Sequence, residues 1–216
     1  MRLALFAAVL LVAGCDVFSD VDPPFDPEPL APATYAVTFE ATWSAATHPE
    51  AFPPDPHFSR LTGAAHAAEV SLWRVGAVAS DGVRAMAETG STAGLRAEVE
   101  VLGDAAAYLE GDPLRPSPGT AGATVTVTDA RPAATVVSML APSPDWFVGV
   151  DGLDLRDGDG WADRVVIDAI VYDAGTDDGA GYTSANAPRA ARAPIAAVAY
   201  APLAGTVVGR LVFERQ

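Results

Sequence analysis

Residues 35–44 read YAVTFEATWS, and this stretch decides the fold. Within it Tyr35, Val37 and Phe39 alternate with small or polar side chains. A period of two is typical of a β-strand with one buried face, because successive side chains point to opposite sides of a sheet. The stretch therefore predicts a half-buried strand at the start of a β-rich domain.

Apolar and β-branched stretches recur along the rest of the chain, and turn residues separate most of them. This spacing of short strands is typical of a sandwich. Residues 82–110 differ, because they are rich in Ala, Leu, Arg and Glu with a spacing that suits one or two short helices. We therefore expect an all-β antiparallel β-sandwich with a short helical insertion. The other predicted strands cover residues 69–75, 124–128, 134–140, 146–150, 165–172, 195–200 and 206–213, with a hairpin turn at 129–132.

The composition excludes several classes of function. The 216 residues carry 28 acidic and 13 basic side chains, a net charge of −15. A nucleic-acid partner is not expected, because binding to phosphate needs cationic surface. The basic residues are all arginine, which excludes lysine Schiff-base chemistry. A single cysteine excludes an internal disulfide, a CxxC redox pair and a cysteine-based zinc cluster.

The N-terminus predicts export. Residues 1–14 place Arg2 before an apolar run that is too short to span a bilayer. The run ends in Val-Ala-Gly before Cys15, which resembles the lipobox of bacterial lipoproteins. The resemblance implies a signal peptide over residues 1–14 and acylation of Cys15, which anchors the chain to the membrane of the cell envelope, facing the periplasm or the cell surface. The alternative is a secretory signal followed by a free cysteine.

Residues 15–33 predict a tether between this anchor and the domain that follows. Five prolines alternate with five acidic residues in this segment. Proline favours the polyproline II conformation, and like charges extend a chain. We expect the segment to lift the domain, residues 34–216, away from the membrane.

Five long stretches of the chain read as sequence motifs: YAVTFEATWS, FPPDPHFSRLTGAAH, LWRVGAVASDGVRAMAETG, PSPDWFVGVDGLDL and YDAGTDDGAGYTSAN. The pair SPDWFVGVDxLDL and YDAGTDxG is long and unusual. Together these stretches resemble the spondin N-terminal domain family, and the resemblance covers most of residues 35–215. It implies an extracellular sandwich of C2-like architecture that is associated with matrix attachment and cell adhesion and carries calcium at one end.

The resemblance places the calcium ligands on Asp145, Asp173 and Asp177. Calcium takes 6–8 oxygen ligands in irregular geometry, which loop carboxylates can supply. Gly175 lets the chain turn between the last two aspartates. The alternative is that these acids are solvated and cap turns. Thr126 is matched to a position where some members have glutamate, so we expect a weak site, with a dissociation constant of about 10⁻⁴–10⁻³ M.

Other candidate sites have weaker support. Residues 157–160, DGDG, resemble a calcium loop, but Trp161 stands where a third ligand is needed, so we expect an acidic turn. Trp43 and Trp146 have the strand spacing of core residues rather than of a carbohydrate platform. The histidines follow no metal-binding motif, and we expect structural roles for them. They are His48, His57 and His66.

These observations favour a lipid-anchored, calcium-dependent module that adheres to a surface polymer, a glycan or a protein. The alternative is a structural envelope lipoprotein whose ion only stabilises the fold. A metal-dependent hydrolase is disfavoured, because hard oxygen ligands without histidine are typical of structural calcium. We therefore expect no catalytic residues.

Overall fold

Two antiparallel β-sheets enclose the hydrophobic core of residues 28–216, the part of the chain that this computed structural model describes. This confirms the all-β sandwich. The strands are β1 (Ala33–Ala41), β2 (His57–Phe58), β3 (Thr62–His66), β4 (Ala106–Glu110), β5 (Gly119–Val127), β6 (Ala133–Ala141), β7 (Trp146–Asp154), β8 (Arg156–Asp157), β9 (Gly160–Trp161), β10 (Arg164–Ala169), β11 (Val171–Asp173), β12 (Ala196–Ala197) and β13 (Gly209–Arg215).

The smaller sheet has the order β10-β13-β1-β5. The larger sheet has the order β12-β11-β7-β6-β3-β4, and β2 pairs with β6 beside this path. In the smaller sheet β1 lies between β13 and β5, so the core face of β1 is central. Tyr35, Val37 and Phe39 are fully buried there, which confirms the predicted alternation.

The larger sheet is covered on both faces, because two helices pack on its outer side. These helices are α1 (Asp81–Thr89) and α2 (Ala93–Val101). Val83 and Met86 of α1 join a second apolar cluster with Val137 of β6 and Phe147 of β7. Every residue of β6 is consequently buried, which explains why apolar residues occupy both faces of this strand instead of alternating with exposed polar ones.

The helical insertion is shorter than predicted. Residues 82–110 were expected to be helical, but the last part of this range forms β4, which pairs with β3. Local helix propensity is overridden there by the free edge of β3, which offers a full set of backbone hydrogen bonds. The start of α1 is fixed by Ser80, whose hydroxyl accepts a hydrogen bond from the Val83 amide.

Two local predictions were wrong. Residues 69–75 form turns rather than a strand, because Trp73 packs edge-on against Phe147 and Tyr172 instead of alternating in a sheet. Residues 129–132 make a tight turn, but it connects the two sheets rather than two paired strands, since β5 pairs with β1 while β6 pairs with β3 and β7.

The signal peptide, Cys15 and the tether up to residue 27 lie outside the described residues. The rest of the expected tether contacts the domain: Leu30 packs against the core, and the Ala31 carbonyl accepts a hydrogen bond of 2.7 Å from the Trp161 indole. Neither helix within residues 28–216 has the length and apolar character that crossing a bilayer requires.

Candidate metal centre

The three predicted aspartates lie on two loops at one end of the larger sheet, which we call the acidic end. Asp145 is in the turn between β6 and β7, Asp173 is the last residue of β11, and Asp177 follows in the next loop. Because β11 pairs with β7, Asp173 stands opposite Trp146, the neighbour of Asp145. The sheet register therefore brings residues 28 positions apart to the same edge.

The turn that carries Asp145 is fixed by its own side chains and by the loop beside it. The Ser143 hydroxyl donates to the Leu140 carbonyl and accepts a hydrogen bond of 3.1 Å from the Trp146 amide. The Asp145 carbonyl accepts a hydrogen bond of 3.1 Å from the Ala174 amide. The Asp145 side chain is therefore held in a defined place.

Gly175 allows the second loop to turn towards Asp145. It has a φ of +73°, a left-handed conformation that residues with a Cβ rarely adopt. An added Cβ would lie 2.3 Å from the Ala193 carbonyl oxygen, which is far inside contact distance. Glycine is therefore required here for two independent reasons, and the predicted turn between Asp173 and Asp177 has a physical basis.

The Asp145 carboxylate is fully buried, and among the described residues only one of its two oxygens accepts hydrogen bonds. Its Oδ2 accepts hydrogen bonds from the Thr176 amide (2.7 Å), the Thr176 hydroxyl (3.1 Å) and the Asp177 amide (3.1 Å). Its Oδ1 has no hydrogen-bond partner among the described residues. A buried, unpaired carboxylate oxygen is costly, because it has lost water and gained nothing in return.

The electrostatics of Asp145 also favour a nearby cation. Burial raises the pKa of Asp145, and the negative charge of Asp173 raises it further, although hydrogen bonds from Thr176 and Asp177 oppose the shift. In the protein without an ion, the ionised form of Asp145 is therefore disfavoured. A cation beside Oδ1 would reverse this, since it stabilises the charged form.

The other two aspartates differ from each other. Asp173 is partly exposed, and within the described residues only its Oδ1 is hydrogen-bonded, to the Gly175 amide at 2.7 Å. Asp177 is buried, and both of its oxygens accept hydrogen bonds of 2.7 Å, from the amides of Gly179 and Ala187. Within residues 28–216, no three Asp, Glu, His or Cys side chains are grouped so that they alone could hold a metal ion. The structure brings the three aspartates to one edge but does not make their carboxylates converge.

The family model Spondin_N matches residues 33–202, which is most of the chain and includes the two loops of the acidic end. The chain belongs to the Spondin_N family. The matched range ends after β12, so only the last strand of the sandwich, β13, lies beyond it.

Similar proteins carry spondin names. Spondin-2 of Homo sapiens is 39% identical over 161 residues, which cover 71% of this chain and 49% of that protein. Spondin-1 of Gallus gallus is 35% identical over 206 residues, which cover 85% of this chain and 25% of that protein. Spondin-1 of Xenopus laevis is 38% identical over 168 residues, which cover 72% of this chain and 20% of that protein. The chain spans about half the length, or less, of these curated relatives.

Thr126 is not part of the acidic end of this Spondin_N domain. It lies on β5 in the smaller sheet, where its hydroxyl is 3.0 Å from that of Thr34. Since β5 leads through a tight turn to the beginning of β6, Thr126 is at the opposite end of the sandwich from Asp145. The placement of Thr126 at the calcium site was wrong, because the ungapped count crossed from one sheet to the other. The weak affinity expected of the site stays a prediction.

The other residues that the sequence analysis considered as candidate sites lie in a turn, in the core or in hydrogen bonds with neighbouring residues. Asp157 and Asp159 are exposed in the turn of the β8–β9 hairpin. His48 is buried between the hydroxyls of Thr47 (2.9 Å) and Thr206 (3.2 Å), and burial lowers its pKa. All four tryptophans are buried, so they present no exposed platform for a carbohydrate. His57 is half-buried, with its Nδ1 2.7 Å from the Asp55 carbonyl oxygen.

Sequence reasoning missed a pocket of about 410 Å³ beside Asp173. Its polar lining comes from Asp178 and Arg189, and an aromatic wall comes from Tyr200. The Arg189 Nε forms an ion pair with the Asp178 carboxylate at 2.8 Å and donates a hydrogen bond to the Asp177 carbonyl at 3.2 Å. No short motif links these residues, because the loop after β11 and the chain after β12 meet only in the folded domain.

Proposed function

We propose that this Spondin_N domain is a calcium-dependent binding module of the cell envelope, anchored through a lipid on Cys15, without catalytic activity. The observation that carries the proposal is that Oδ1 of the fully buried Asp145 has no hydrogen-bond partner within residues 28–216. Hard oxygen ligands suit calcium, and a carboxylate oxygen without a hydrogen-bond partner is available to it.

The residues present fit a calcium ion with two carboxylate ligands. Asp145 would contribute Oδ1, and Asp173 would contribute the oxygen that takes no hydrogen bond within the described residues. Backbone carbonyls and water would complete the shell, as is common for calcium. Asp177 supports the site in this arrangement: its carboxylate holds the loop through Gly179 and Ala187. The bound ion would compensate the negative charge that Asp145 and Asp173 bring together.

The binding role is supported by the pocket that opens beside Asp173. An ion that only cross-links loops needs no adjacent cavity, whereas a module that recognises a surface polymer, glycan or protein does. The Spondin_N family resemblance implies matrix attachment and cell adhesion, in agreement with such a role. The second candidate, a structural envelope lipoprotein, is favoured by the complete burial of Asp145.

An adhesion assay on the full chain distinguishes the binding module from the structural lipoprotein. Vesicles that carry the lipidated protein should be retained on immobilised surface polysaccharide or matrix protein in millimolar calcium and released by a chelator. Asp173→Asn should abolish this retention. The matched control Asp168→Asn changes an exposed aspartate on β10 in the smaller sheet and should retain wild-type binding. Calcium-dependent stabilisation without any calcium-dependent retention would select the structural candidate.

The anchor is tested separately. Mass spectrometry of the membrane fraction should show an acylated N-terminal Cys15, since two or three acyl chains give stable membrane attachment. Cys15→Ser should move the protein out of the membrane fraction. An unmodified Cys15 thiol within an intact chain would refute the anchor and leave the calcium site untouched.

A further inference from the structure

The pocket beside the acidic end has the composition of a small-molecule site. Its volume of about 410 Å³ lies within the usual range of ligand pockets, roughly 300–1,000 Å³, and could hold one or two sugar rings. Apolar lining comes from Val198, Ala199 and Ala201, and two carboxylates and a guanidinium supply polar lining. A ligand that fits both walls must have an apolar face and several hydroxyl groups.

The aromatic wall is packed against two further rings. The Tyr200 ring lies 5.1 Å from the Trp146 ring at an interplanar angle of 33°, and 5.1 Å from the Tyr182 ring at 84°. Trp146 and Tyr182 are buried, whereas Tyr200 is partly exposed to the pocket. Trp146 also lines the pocket, although its indole N–H is buried and has no hydrogen-bond partner in the described part of the chain. Tyr200 is therefore a ring surface supported from behind by two buried rings.

The polar wall presents both acceptors and donors. The Asp178 side chain is 67% exposed, and Asp173 adds a second carboxylate. Both contacts that hold the Arg189 side chain use its Nε, so its terminal nitrogens make no hydrogen bond within residues 28–216. A sugar hydroxyl can donate to a carboxylate and accept from a guanidinium, which matches this wall.

We propose that this pocket binds a neutral pyranose sugar, with the apolar face of the ring on Tyr200 and its hydroxyls on Asp178, Asp173 and Arg189. The inference rests on the proposed function, because calcium would hold Asp173 in the wall. A neutral sugar is favoured over an acidic one, since Asp173 and Asp178 face the pocket and the whole chain carries a charge of −15. The one guanidinium of the pocket is already paired with Asp178.

Calorimetric titration of the full chain, in calcium and in a detergent without a sugar headgroup, tests the proposal. The probes are the methyl glycosides of glucose, galactose and mannose and their disaccharides, with glucuronate and sorbitol as controls. We expect saturable, millimolar binding of at least one neutral glycoside. Glucuronate should bind more weakly because of its charge, and sorbitol because it has no ring to stack on Tyr200.

Asp178→Ala should weaken binding by about tenfold or more, because it removes charge-assisted hydrogen bonds. Asp168→Ala, at an exposed aspartate of the other sheet, should leave it unchanged. Asp178→Ala should retain the calcium-dependent stabilisation of the wild type, which shows that the fold and the ion site are intact. Tyr200→Ala, examined at a temperature where it is folded, should weaken binding as well.

The possible failures can be told apart. If calcium stabilises the protein but no neutral glycoside binds, or if only glucuronate binds, the pocket proposal is overturned and the calcium site stands. Equal weakening by Asp178→Ala and Asp168→Ala would also overturn it. If a neutral glycoside binds but calcium has no effect on stability, the pocket is retained and the proposed calcium function is contradicted.

Discussion

Two buried polar clusters lie at opposite ends of the larger sheet, and their hydrogen bonding differs. At one end the His66 Nδ1 is 2.9 Å from the Ala67 carbonyl oxygen, and its Nε2 is 2.8 Å from the Thr135 hydroxyl. The Thr135 hydroxyl also accepts a hydrogen bond of 2.9 Å from the Gly152 amide. At the acidic end, Asp145 is equally buried but leaves Oδ1 unpaired among the described residues.

This difference in hydrogen bonding is the reason that the proposed ion is assigned to the acidic end and not to the His66 cluster. In the His66 cluster Nδ1 faces a carbonyl oxygen and Nε2 faces the Thr135 hydroxyl, which also accepts from the Gly152 amide, so each polar atom of the cluster has a partner. The acidic end has an unused oxygen and two neighbouring negative charges. Burial of a polar group alone therefore does not indicate a ligand. The Asp145 Oδ1, which has no partner among the described residues, indicates the end of the sheet where an ion would be stabilising.

Removal of the Thr135 hydroxyl should have the largest effect on stability. Thr135→Val leaves His66 Nε2 and the Gly152 amide without partners, and each unpaired group costs about 1–3 kcal/mol. We expect a loss of about 3 kcal/mol in urea denaturation, equal in calcium and in chelator. Thr38→Val on the outward face of β1 should change little. A loss that depends on calcium would show that the two ends are coupled.

Calcium should give the next largest effect. A ligand that binds only the folded state adds about 2.7 kcal/mol at a hundredfold excess over its dissociation constant. For a domain of this size the melting temperature should rise by about 5–10 °C. Asp173→Asn should lose most of this shift, and Asp168→Asn should keep it. Absence of a shift in the wild type would remove the basis of the ion site.

A smaller effect should appear in the pH dependence of the protein in chelator. Burial raises the folded-state pKa of Asp145, so the folded state binds its proton more tightly than the unfolded state. Stability should therefore rise as pH falls through the folded-state pKa, and level off below the unfolded value of about 3.9. Asp145→Asn lacks the pH-dependent stability that this carboxyl group causes, and it should be more stable than the wild type at neutral pH without calcium.

The measurement is denaturant unfolding across a pH series, with the difference between wild type and Asp145→Asn taken at each pH. Carboxyl groups that do not interact with Asp145 are shared and cancel in the difference, whereas the repulsion between Asp145 and Asp173 is part of what the difference measures. Asp168→Asn should give a curve parallel to that of the wild type. Parallel curves for Asp145→Asn would mean that Asp145 carries no penalty for its charge in the folded protein.

The smallest effect is expected at Thr126. Its contact with the Thr34 hydroxyl is exposed, so Thr126→Val should cost a few tenths of a kcal/mol at most. The calcium-dependent shift in melting temperature should be unchanged, because Thr126 lies in the smaller sheet at the opposite end of the sandwich. A reduced shift in this variant would contradict the assignment of the ion to the acidic end.

The sequence predicted those parts of the fold that depend on local pattern. Period two in β1 identified the strand and its buried face, because one side of that strand meets the core and the other meets solvent. The pattern failed at β4, where pairing with β3 overrides helix propensity, and at residues 69–75, where Trp73 packs as part of a turn.

Long-range register limited the prediction of the candidate site. The family motif named Asp145, Asp173 and Asp177, and pairing of β11 with β7 places them at one edge. No local pattern shows that both carboxylate oxygens of Asp177 accept hydrogen bonds from backbone amides, or that one oxygen of Asp145 has no partner among the described residues. The Thr126 assignment failed for the same reason, since sequence distance does not show where the chain passes from one sheet to the other.

A crystal structure grown in calcium, with anomalous diffraction recorded at long wavelength, tests the central claim most directly. The account predicts an anomalous peak at the acidic end, about 2.3–2.6 Å from Asp145 Oδ1 and from an Asp173 carboxylate oxygen, and no peak at the His66 cluster. A peak at Asp157 and Asp159 instead, or an Asp145 Oδ1 that stays without a cation at saturating calcium, would contradict it.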